Sequence, residues 1–209
     1  MNVLGAQNVV NVCKKSKKKL IYISTDFVFG GQNPPIGGFT EENIPNPVNW
    51  YGETKSKGEE VVKNSGLSFL IVRIAYPYRK EFKLKKDFVR AIRDRLLGGG
   101  QVMAITDHIM TPTFIDDIAY AIGKLIEDNK TGIYHVVGSQ SLTPYDATML
   151  IAETFGCDKS LIGKTTRAEF FKDRAPRPHS LHMNNDKITS LGVTMRTFEE
   201  GIRELKVDN

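Results

Sequence analysis

The sequence predicts an α/β protein built on a parallel sheet. Three short apolar runs, at residues 20–24, 68–74 and 133–137, have the length and continuity of strands that are buried on both faces. Segments with helical periodicity separate these runs. Strands that alternate with helices along a chain are typical of a parallel sheet with helices packed on its faces.

The helices are predicted from apolar spacing and from capping signals. Thr143 and Pro144 form a helix start, and Gly156 follows the same helix as a left-handed end. Thr197 and Glu200 make a capping box for the last helix. The other predicted helices cover residues 2–13, 49–66, 83–97, 113–128 and 184–191, and a short strand is expected at residues 102–105.

Two loops stand out by their glycine and proline content. Residues 30–38 contain four glycines and two prolines, and residues 174–179 read Arg-Ala-Pro-Arg-Pro-His. Neither segment suits a helix interior, because proline lacks the backbone donor and restricts the residue before it. Long loops in compact domains are often functional.

Length and composition indicate an ordinary globular chain. The 209 residues suit one large domain or a domain and a half, with 40% hydrophobic and 25% charged residues. No window approaches the roughly 18 apolar residues of a membrane span, and the N-terminus lacks the pattern of a signal peptide. Cys13 and Cys157 match no metal spacing, so a reducing, cytoplasmic setting without a membrane partner is expected.

The positive charge is concentrated in two lysine clusters. The net charge is +5, with clusters at residues 14–19 and 80–86. Solvated surfaces are the favoured interpretation, and nucleic-acid binding is disfavoured because no recognition motif or interleaved aromatic residue accompanies the charge. The second cluster leaves open a role in holding an anionic substrate such as a nucleotide diphosphate.

One constellation predicts chemistry at a carbonyl group. Tyr51 and Lys55 are four residues apart on a predicted helix, so they share one face. An ammonium beside a phenol stabilises the phenolate, which suits tyrosine to proton transfer near neutral pH. Thr25 ends a predicted strand, where open α/β sheets bind ligands, and its hydroxyl suits the same carbonyl oxygen. Each part is common by chance alone, and the order and spacing of the three favour a reductase site.

Longer motifs carry a resemblance to a known family. Residues 24–31 read Ser-Thr-Asp-Phe-Val-Phe-Gly-Gly, and residues 46–59 read Asn-Pro-Val-Asn-Trp-Tyr-Gly-Glu-Thr-Lys-Ser-Lys-Gly-Glu. Together they resemble the extended short-chain dehydrogenase/reductases, and within them the dTDP-4-dehydrorhamnose reductases, the RmlD-like substrate-binding family. The resemblance continues through Arg73 and the segments at 112–113, 116–117, 132–136, 174–178, 191–192 and 198–201, so it covers nearly the whole chain.

The resemblance implies a partial Rossmann-like fold and an activity. Residues 1–77 would form the C-terminal part of an NAD(P)-binding domain. Residues 78–209 would form mostly a smaller substrate-binding subdomain, with interleaved sheet elements near 106–137. The implied reaction is the NADPH- or NADH-dependent reduction of the keto group of a nucleotide-linked 4-keto-6-deoxysugar, as in dTDP-rhamnose biosynthesis.

The resemblance also implies residue roles. Tyr51 would act as general acid, Lys55 would bind the nicotinamide ribose, Thr25 would orient the keto oxygen, and Asn2 would complete a catalytic tetrad. The implied cofactor contacts are Ser24, Tyr51, Lys55 and Arg73, and the implied substrate contacts are Thr25, Asp26, Val28, Phe29, Tyr76, Arg174 and Arg177. A core role for the Tyr76 ring and a surface-loop role for the two arginines remain open at this point.

The sequence departs from the family pattern in two ways. Relatives begin with a glycine-rich turn and further strand–helix units, so roughly 80 residues and the grip on the adenosine half of the cofactor are expected to be missing. An uncovered strand edge then predicts a homo-oligomer. Phe27 and Gly30 stand where relatives carry tyrosine and aspartate, which bears on substrate identity.

Other functions fit the sequence less well. The scaffold also resembles the regulatory β subunit of methionine adenosyltransferase, so a non-catalytic interaction module is the alternative. Residues 163–165, Gly-Lys-Thr, are not a phosphate loop because Asp158 stands where a glycine is needed. His179 and His182 lack a nearby carboxylate or thiol pattern, so no metal site is predicted.

Overall fold

The computed structural model describes residues 2–82 and 84–206, and its mixture of helices and parallel strands confirms the predicted α/β class. The helices are α1 (Asn2–Ser16), α2 (Trp50–Lys63), α3 (Phe88–Leu97), α4 (Ile115–Glu127), α5 (Pro144–Phe155), α6 (Arg167–Phe170), α7 (Asp186–Thr189) and α8 (Phe198–Arg203), with 3-10 turns at Asp26–Val28 and Lys159–Leu161. The strands are β1 (Leu20–Thr25), β2 (Phe69–Ile74), β3 (Pro77–Tyr78), β4 (Val102–Ile105), β5 (Thr113–Phe114), β6 (Gly132–His135) and β7 (Ile162–Thr165).

The main sheet has the order β1-β2-β6, and all its strands are parallel. Successive side chains of a strand point to opposite faces. Ile71 packs with Val10 of α1 and Val62 of α2 on one face. Leu70 and Val72 pack toward α4 on the other face. Burial on both faces explains why these strands read as continuous apolar runs.

A second core lies beside this sheet. The short parallel pairs β3-β5 and β4-β7 lie outside the main sheet. The buried residues here are Tyr78, Val89, Met110, Phe114, Leu142, Ala147, Ile151, Phe198, Ile202 and Leu205. They belong largely to α3, α5 and α8 and the short strands. We therefore propose the division of the chain into residues 1–77 and 78–209, in which β6 returns from the second part to the main sheet.

Several helix boundaries differ from the sequence prediction, and the start of α3 differs most. The helix expected at 83–97 begins only at Phe88, because the Asp87 side chain caps it by accepting from the Arg90 amide at 3.1 Å. The Arg90 guanidinium donates to the carbonyl of Phe82 at 2.9 Å, which stabilises a loop before the cap. Lys83 lies outside the described residues. The helix expected from residue 113 begins at Ile115, since residues 113 and 114 form β5.

Two predicted helix starts agree with the structure, whereas α6, β3 and β7 were not predicted. The starts of α5 at Thr143 and of α8 at Thr197 are confirmed, with both caps formed as predicted. β7 was not predicted; it contains the Gly-Lys-Thr triplet and pairs with β4. Among the described residues, no helix combines the length and apolar character needed to cross a bilayer.

A fully buried ion pair joins α2 to the main sheet. The Arg73 guanidinium donates to both carboxylate oxygens of Glu59, at 2.9 and 2.7 Å, and both side chains are at most 1% exposed. Arg73 also lies over the Phe29 ring and 3.3 Å from Nε2 of His135. Burial, with the Arg73 charge second, lowers the pKa of His135 to about 3, so the neutral ring accepts from Arg73.

Breaking this buried pair should cost much more stability than breaking an exposed ion pair on the same helix. Arg73→Met leaves the Glu59 carboxylate buried without a partner, and the expected loss of unfolding free energy is about 3–5 kcal/mol. The control is Lys57→Met, which breaks the Glu53–Lys57 pair on the same helix; both of those side chains are about half exposed. Urea unfolding should show a large loss for the first variant and little change for the second. Equal losses would contradict a structural role for the buried pair.

Candidate functional site

A cleft of about 340 Å³ opens at the carboxyl ends of β1 and β2. This is the edge at which open parallel sheets bind ligands. The lining residues are Ile23, Ser24, Thr25, Asp26, Phe27, Tyr51, Lys55, Ile74, Tyr76, Pro77 and Arg177. The structure therefore brings together Thr25, Tyr51 and Lys55, the three residues from which the sequence predicted chemistry.

Thr25 is held by hydrogen bonds on both sides of its hydroxyl group. Its Oγ1 accepts from the backbone amide of Phe27 at 3.3 Å, which caps the 3-10 turn after β1. The same hydroxyl donates to Oδ1 of Asp26 at 2.9 Å. Thr25 is nearly buried, at 7% exposure. Its side chain thus has a defined orientation at the base of the cleft.

The first turn of α2 places Tyr51 against the 3-10 turn. Asn49 caps the helix by accepting from the Gly52 amide at 2.8 Å. A Cβ atom at Gly52 would lie 2.1 Å from the Phe27 carbonyl oxygen, so only glycine permits this approach. The Tyr51 ring then meets the Phe27 ring edge to face, with centroids 5.7 Å apart. Tyr51 remains half exposed, which leaves its side chain accessible from the cleft.

Lys55 lies one helical turn after Tyr51 and is anchored at the end of β1. Its Nζ donates to the carbonyl oxygen of Ile23 at 2.5 Å and lies 4.5 Å from the centroid of the Tyr22 ring. Burial lowers the pKa of Lys55, and the negative charge of Glu59 opposes this shift. The ammonium is therefore partly desolvated in the cleft, where its interactions with a ligand are stronger than in water.

Two buried polar atoms beside Thr25 lack partners. Ser24 Oγ and Asp26 Oδ2 have no hydrogen-bond partner among the described residues. Burial raises the pKa of Asp26 to about 7, and the hydrogen bond from Thr25 opposes this rise. Unsatisfied buried polar groups are costly and rare, so each calls for an explanation. Their position at the base of a cleft makes a ligand contact one such explanation.

Tyr76 forms the far wall of the cleft. Its backbone has a φ of 39°, which is uncommon for a residue other than glycine. Its hydroxyl lies 3.2 Å from Nε2 of His108, whose Nδ1 lies 2.8 Å from the carbonyl oxygen of His179. Because a carbonyl only accepts, Nδ1 carries the hydrogen and Nε2 of the neutral ring accepts from Tyr76. Burial lowers the pKa of His108, which favours this neutral ring.

Arg177 reaches the cleft from the loop at 174–179. Asn49, the cap of α2, donates its side-chain amide to the carbonyl of Pro176 at 2.9 Å. Arg167 donates to the carbonyl of Arg177, also at 2.9 Å. These bonds hold the loop against the start of α2, with the Arg177 guanidinium 5.6 Å from the centroid of the Phe27 ring. The arginine thus supplies a positive charge at the wall of the cleft.

Two residues predicted for the site, Asn2 and Arg174, do not line this cleft. Asn2 donates its amide to Thr54 Oγ1 at 3.0 Å, so it supports α2 from behind and does not line the cleft. Arg174 lies over the Phe170 ring on the outer part of its loop and does not line the cleft either.

Three more residues predicted for the site, Val28, Phe29 and Arg73, lie in the core. Val28 and Phe29 are fully buried, and Phe29 stacks on Phe39 with centroids 4.4 Å apart. The Arg73 guanidinium donates to Glu59 and His135 inside the core. Direct side-chain contact of these three residues with a ligand is therefore not part of the site that we describe. The sequence could not separate them from the neighbouring Thr25 and Asp26, because burial depends on the tertiary packing.

Three positioning residues were not singled out in the sequence. Asn49 caps α2 and holds the Arg177 loop, Glu59 binds Arg73, and His108 binds Tyr76. Asn49 stands immediately before the Tyr51 helix, a typical cap position, and Glu59 lies four residues after Lys55 on the same face. The sequence therefore contained a recognisable signal for Asn49 and for Glu59. His108 had none, because its partner is 32 residues away in the chain.

The raised pKa of Asp26 predicts a pH-dependent cost to stability. An unfolded aspartate ionises near pH 4, whereas Asp26 in the folded protein holds its proton up to about pH 7. The unfolding free energy of the wild type therefore falls as the pH rises between these two values. Asp26→Asn cannot ionise, so its unfolding free energy should gain about 2 kcal/mol relative to the wild type between about pH 5 and pH 7.

Urea unfolding of both proteins at the two pH values measures this difference. The titration of His135 and other groups contributes equally to both proteins and cancels. A difference that is independent of pH would contradict the raised pKa of Asp26.

Comparison with known proteins gives a consistent family. A family model described as the RmlD substrate binding domain matches residues 1–208. The chain is 32% identical over 98% of its length to methionine adenosyltransferase 2 subunit beta from Mus musculus, and it spans 62% of that protein. It is 29% identical, over 99% of its length, to the probable low-salt glycan biosynthesis reductase Agl14 from Haloferax volcanii, of which it spans 69%.

The solved structures agree in fold. The crystal structure of dTDP-4-dehydrorhamnose reductase from Bacillus anthracis in complex with NADP superposes with a TM-score of 0.89 at 28% identity. The match covers 100% of this chain and 72% of that chain.

Proposed function

Because this chain belongs to the RmlD substrate binding domain family, we propose that it carries the carbonyl-reducing site of an NADPH- or NADH-dependent reductase. The proposed substrate is a nucleotide-linked 4-keto-6-deoxysugar. One observation carries the proposal: Thr25, Tyr51 and Lys55, which are distant in sequence, line one cleft at the carboxyl ends of parallel strands. The NADP complex of the similar Bacillus anthracis reductase supports the cofactor class.

Each of the three residues has a role in the proposed reaction. Tyr51 is accessible and donates its phenolic proton to the keto oxygen as that oxygen gains negative charge. Lys55 favours the resulting phenolate through its ammonium group and holds the cofactor ribose. Thr25 positions the keto oxygen from the base of the cleft. A preorganised arrangement of this kind stabilises the transition state because its dipoles need no reorientation.

The described residues fit the nicotinamide end of the cofactor. Ser24 Oγ is an unpartnered hydroxyl in the cleft lining, and Lys55 supplies a fixed ammonium. When bound, the nicotinamide cofactor supplies the hydride. The cleft volume of about 340 Å³ lies within the usual range for small-ligand sites. The two free cysteines, Cys13 and Cys157, are consistent with the cytoplasmic setting that we propose.

A basic pocket next to the cleft supports a nucleotide-linked substrate. This pocket, of about 460 Å³, meets the cleft at Tyr76 and Pro77. Its lining includes four cations, Arg79, Lys85, Lys86 and Arg90. Of these, Arg90 is already paired with Asp87, and Lys86 with Asp94 at 2.7 Å. With Arg177 on the cleft wall, positive charge lies on two sides of Tyr76. A sugar in the cleft could therefore extend its diphosphate toward these cations.

The second candidate function is a regulatory module. The 32% identity to methionine adenosyltransferase 2 subunit beta over 98% of the chain is the observation that favours it. On this alternative the chain would bind a partner protein through its scaffold and the cleft would perform no reduction. The two functions differ in what Tyr51 does.

The expected result for the reductase is a loss of turnover in Tyr51→Phe. Removal of a general acid typically slows catalysis by about 100- to 10,000-fold, whereas binding of reduced nicotinamide, followed by its fluorescence, should persist. Turnover is measured as oxidation of NADPH or NADH with a dTDP-4-keto-6-deoxysugar. Tyr120→Phe is the matched control, because Tyr120 is exposed on α4.

Equal turnover in Tyr51→Phe and the wild type would contradict the assigned chemistry. Failure of the wild type to bind either cofactor would favour the regulatory module.

We also propose that the protein self-associates along the free edge of β1. Among the described residues β1 pairs only with β2, and an apolar groove lined by Val9, Leu20, Ile21 and Ile23 follows its other side. Exposed edges and apolar grooves favour association. Val9→Lys should shift sedimentation toward the monomer, whereas Ile126→Lys, at a similarly exposed position on α4, should not. A wild type that is already monomeric at high concentration would contradict this proposal.

A further inference from the structure

Most of the hydrogen-bonding groups of the Thr25 hydroxyl are already used within the protein. A hydroxyl has one hydrogen to donate and two lone pairs that accept. In the structure, Thr25 donates its hydrogen to Asp26 Oδ1 at 2.9 Å, and one lone pair accepts from the Phe27 amide at 3.3 Å. Only one lone pair remains. In this state Thr25 accepts from a ligand hydroxyl but has no hydrogen to donate to a keto oxygen.

Protonation of Asp26 reverses the direction of its hydrogen bond with Thr25. An ionised carboxylate only accepts, so it takes the Thr25 hydrogen. A protonated carboxyl donates from Oδ1 to Thr25 Oγ1 instead, and the Thr25 hydrogen becomes free to turn toward the cleft. The 2.9 Å distance suits a hydrogen bond in either direction, because both partners are oxygen atoms.

We propose that Asp26 is a positioning residue that sets the hydrogen-bonding direction of Thr25: protonated Asp26 makes Thr25 a donor to a keto oxygen, and ionised Asp26 makes it an acceptor from an alcohol. This inference rests on the proposed function, in which a ketone is the substrate and an alcohol is the product. It gives Asp26 a role in discriminating the two, through Thr25 and without direct chemistry. The proton on Asp26 exchanges with solvent, so no other reactant is consumed.

The surroundings of Asp26 allow both protonation states. Its Oδ2 is buried without a partner among the described residues, and no ion pair stabilises its charge. The titratable and charged groups that share its cleft are Tyr51 and Lys55 from α2, Tyr76 after β2, and Arg177 from the loop at 174–179. Burial raises the pKa of Asp26 to about 7, which places both states within the neutral pH range.

The coupling between the two side chains is testable without turnover. The carbon-13 signal of the Asp26 carboxyl group, assigned by its loss in Asp26→Asn, reports protonation as the pH is varied. We expect a midpoint at about pH 7 in the wild type. Thr25→Val removes the donor that stabilises the ionised form, so the midpoint should rise by about one pH unit. Thr25→Ser restores the donor and should return the midpoint toward the wild-type value.

The discrimination itself is tested by binding of two probes that differ only at one carbon. These are dTDP-4-keto-6-deoxyglucose and its alcohol counterpart, dTDP-6-deoxyglucose. In the wild type the ratio of the two dissociation constants should change by about tenfold across the neutral range, with the ketone favoured at lower pH. The side-chain amide of Asp26→Asn does not titrate, so its hydrogen bond with Thr25 and the ratio should not depend on pH.

Two results would overturn the inference. One is an Asp26 carboxyl that is fully ionised throughout the neutral range, or that has the same midpoint in Thr25→Val and the wild type. The other is a pH-dependent ratio that is identical in Asp26→Asn and the wild type. If neither probe binds the wild type, the proposed function fails, while the carboxyl titration still decides whether Asp26 and Thr25 are coupled.

Discussion

The buried pair between Glu59 and Arg73 determines where the candidate catalytic helix lies. Two charges inside a protein are tolerated only with close geometry and full hydrogen bonding, and the two bonds at 2.9 and 2.7 Å meet that requirement. Glu59 therefore stabilises one rotational setting of α2 on the sheet. Lys55 and Tyr51 precede Glu59 at intervals of four residues, so they project from the same face of the helix. The same setting that satisfies the buried charges directs both side chains to the end of β1.

The opposite end of α2 is held by Asn49, and the cleft depends on both anchors. The Asn49 side chain accepts from the first turn of the helix and donates to the carbonyl of Pro176. One side chain thus couples the start of α2 to the loop that carries Arg177. His108 holds Tyr76 in a similar way: its neutral ring accepts from the Tyr76 hydroxyl and donates to the carbonyl of His179. The walls of the cleft come from distant segments of the chain. The side chains that hold them, Asn49 and His108, do not line the cleft.

The sequence predicted the parts of this structure that depend on local pattern. The apolar runs of the main sheet, the caps at Thr143 and Thr197, and the spacing of Tyr51 and Lys55 are local signals, and the structure has strands, caps and cleft residues there. The errors arose where tertiary contacts decide. The start of α3 depends on how Asp87 and Arg90 use their hydrogen bonds. Similarly, the pairing of Arg73 with Glu59 was not predicted, because it depends on how α2 packs against β2.

The polar atoms at the base of the cleft bear on the choice between reductase and scaffold. A scaffold gains nothing from a buried carboxyl whose Oδ2 has no partner, since an apolar side chain of similar size would avoid the cost of desolvation. Asp26 accepts this cost directly beside Thr25, which is the residue that would meet a keto oxygen. Stability lost at a site in this way is typical of positions where function requires a strained or poorly solvated group. The placement of that cost next to Tyr51 and Lys55, rather than elsewhere in the core, favours carbonyl chemistry over a purely structural role.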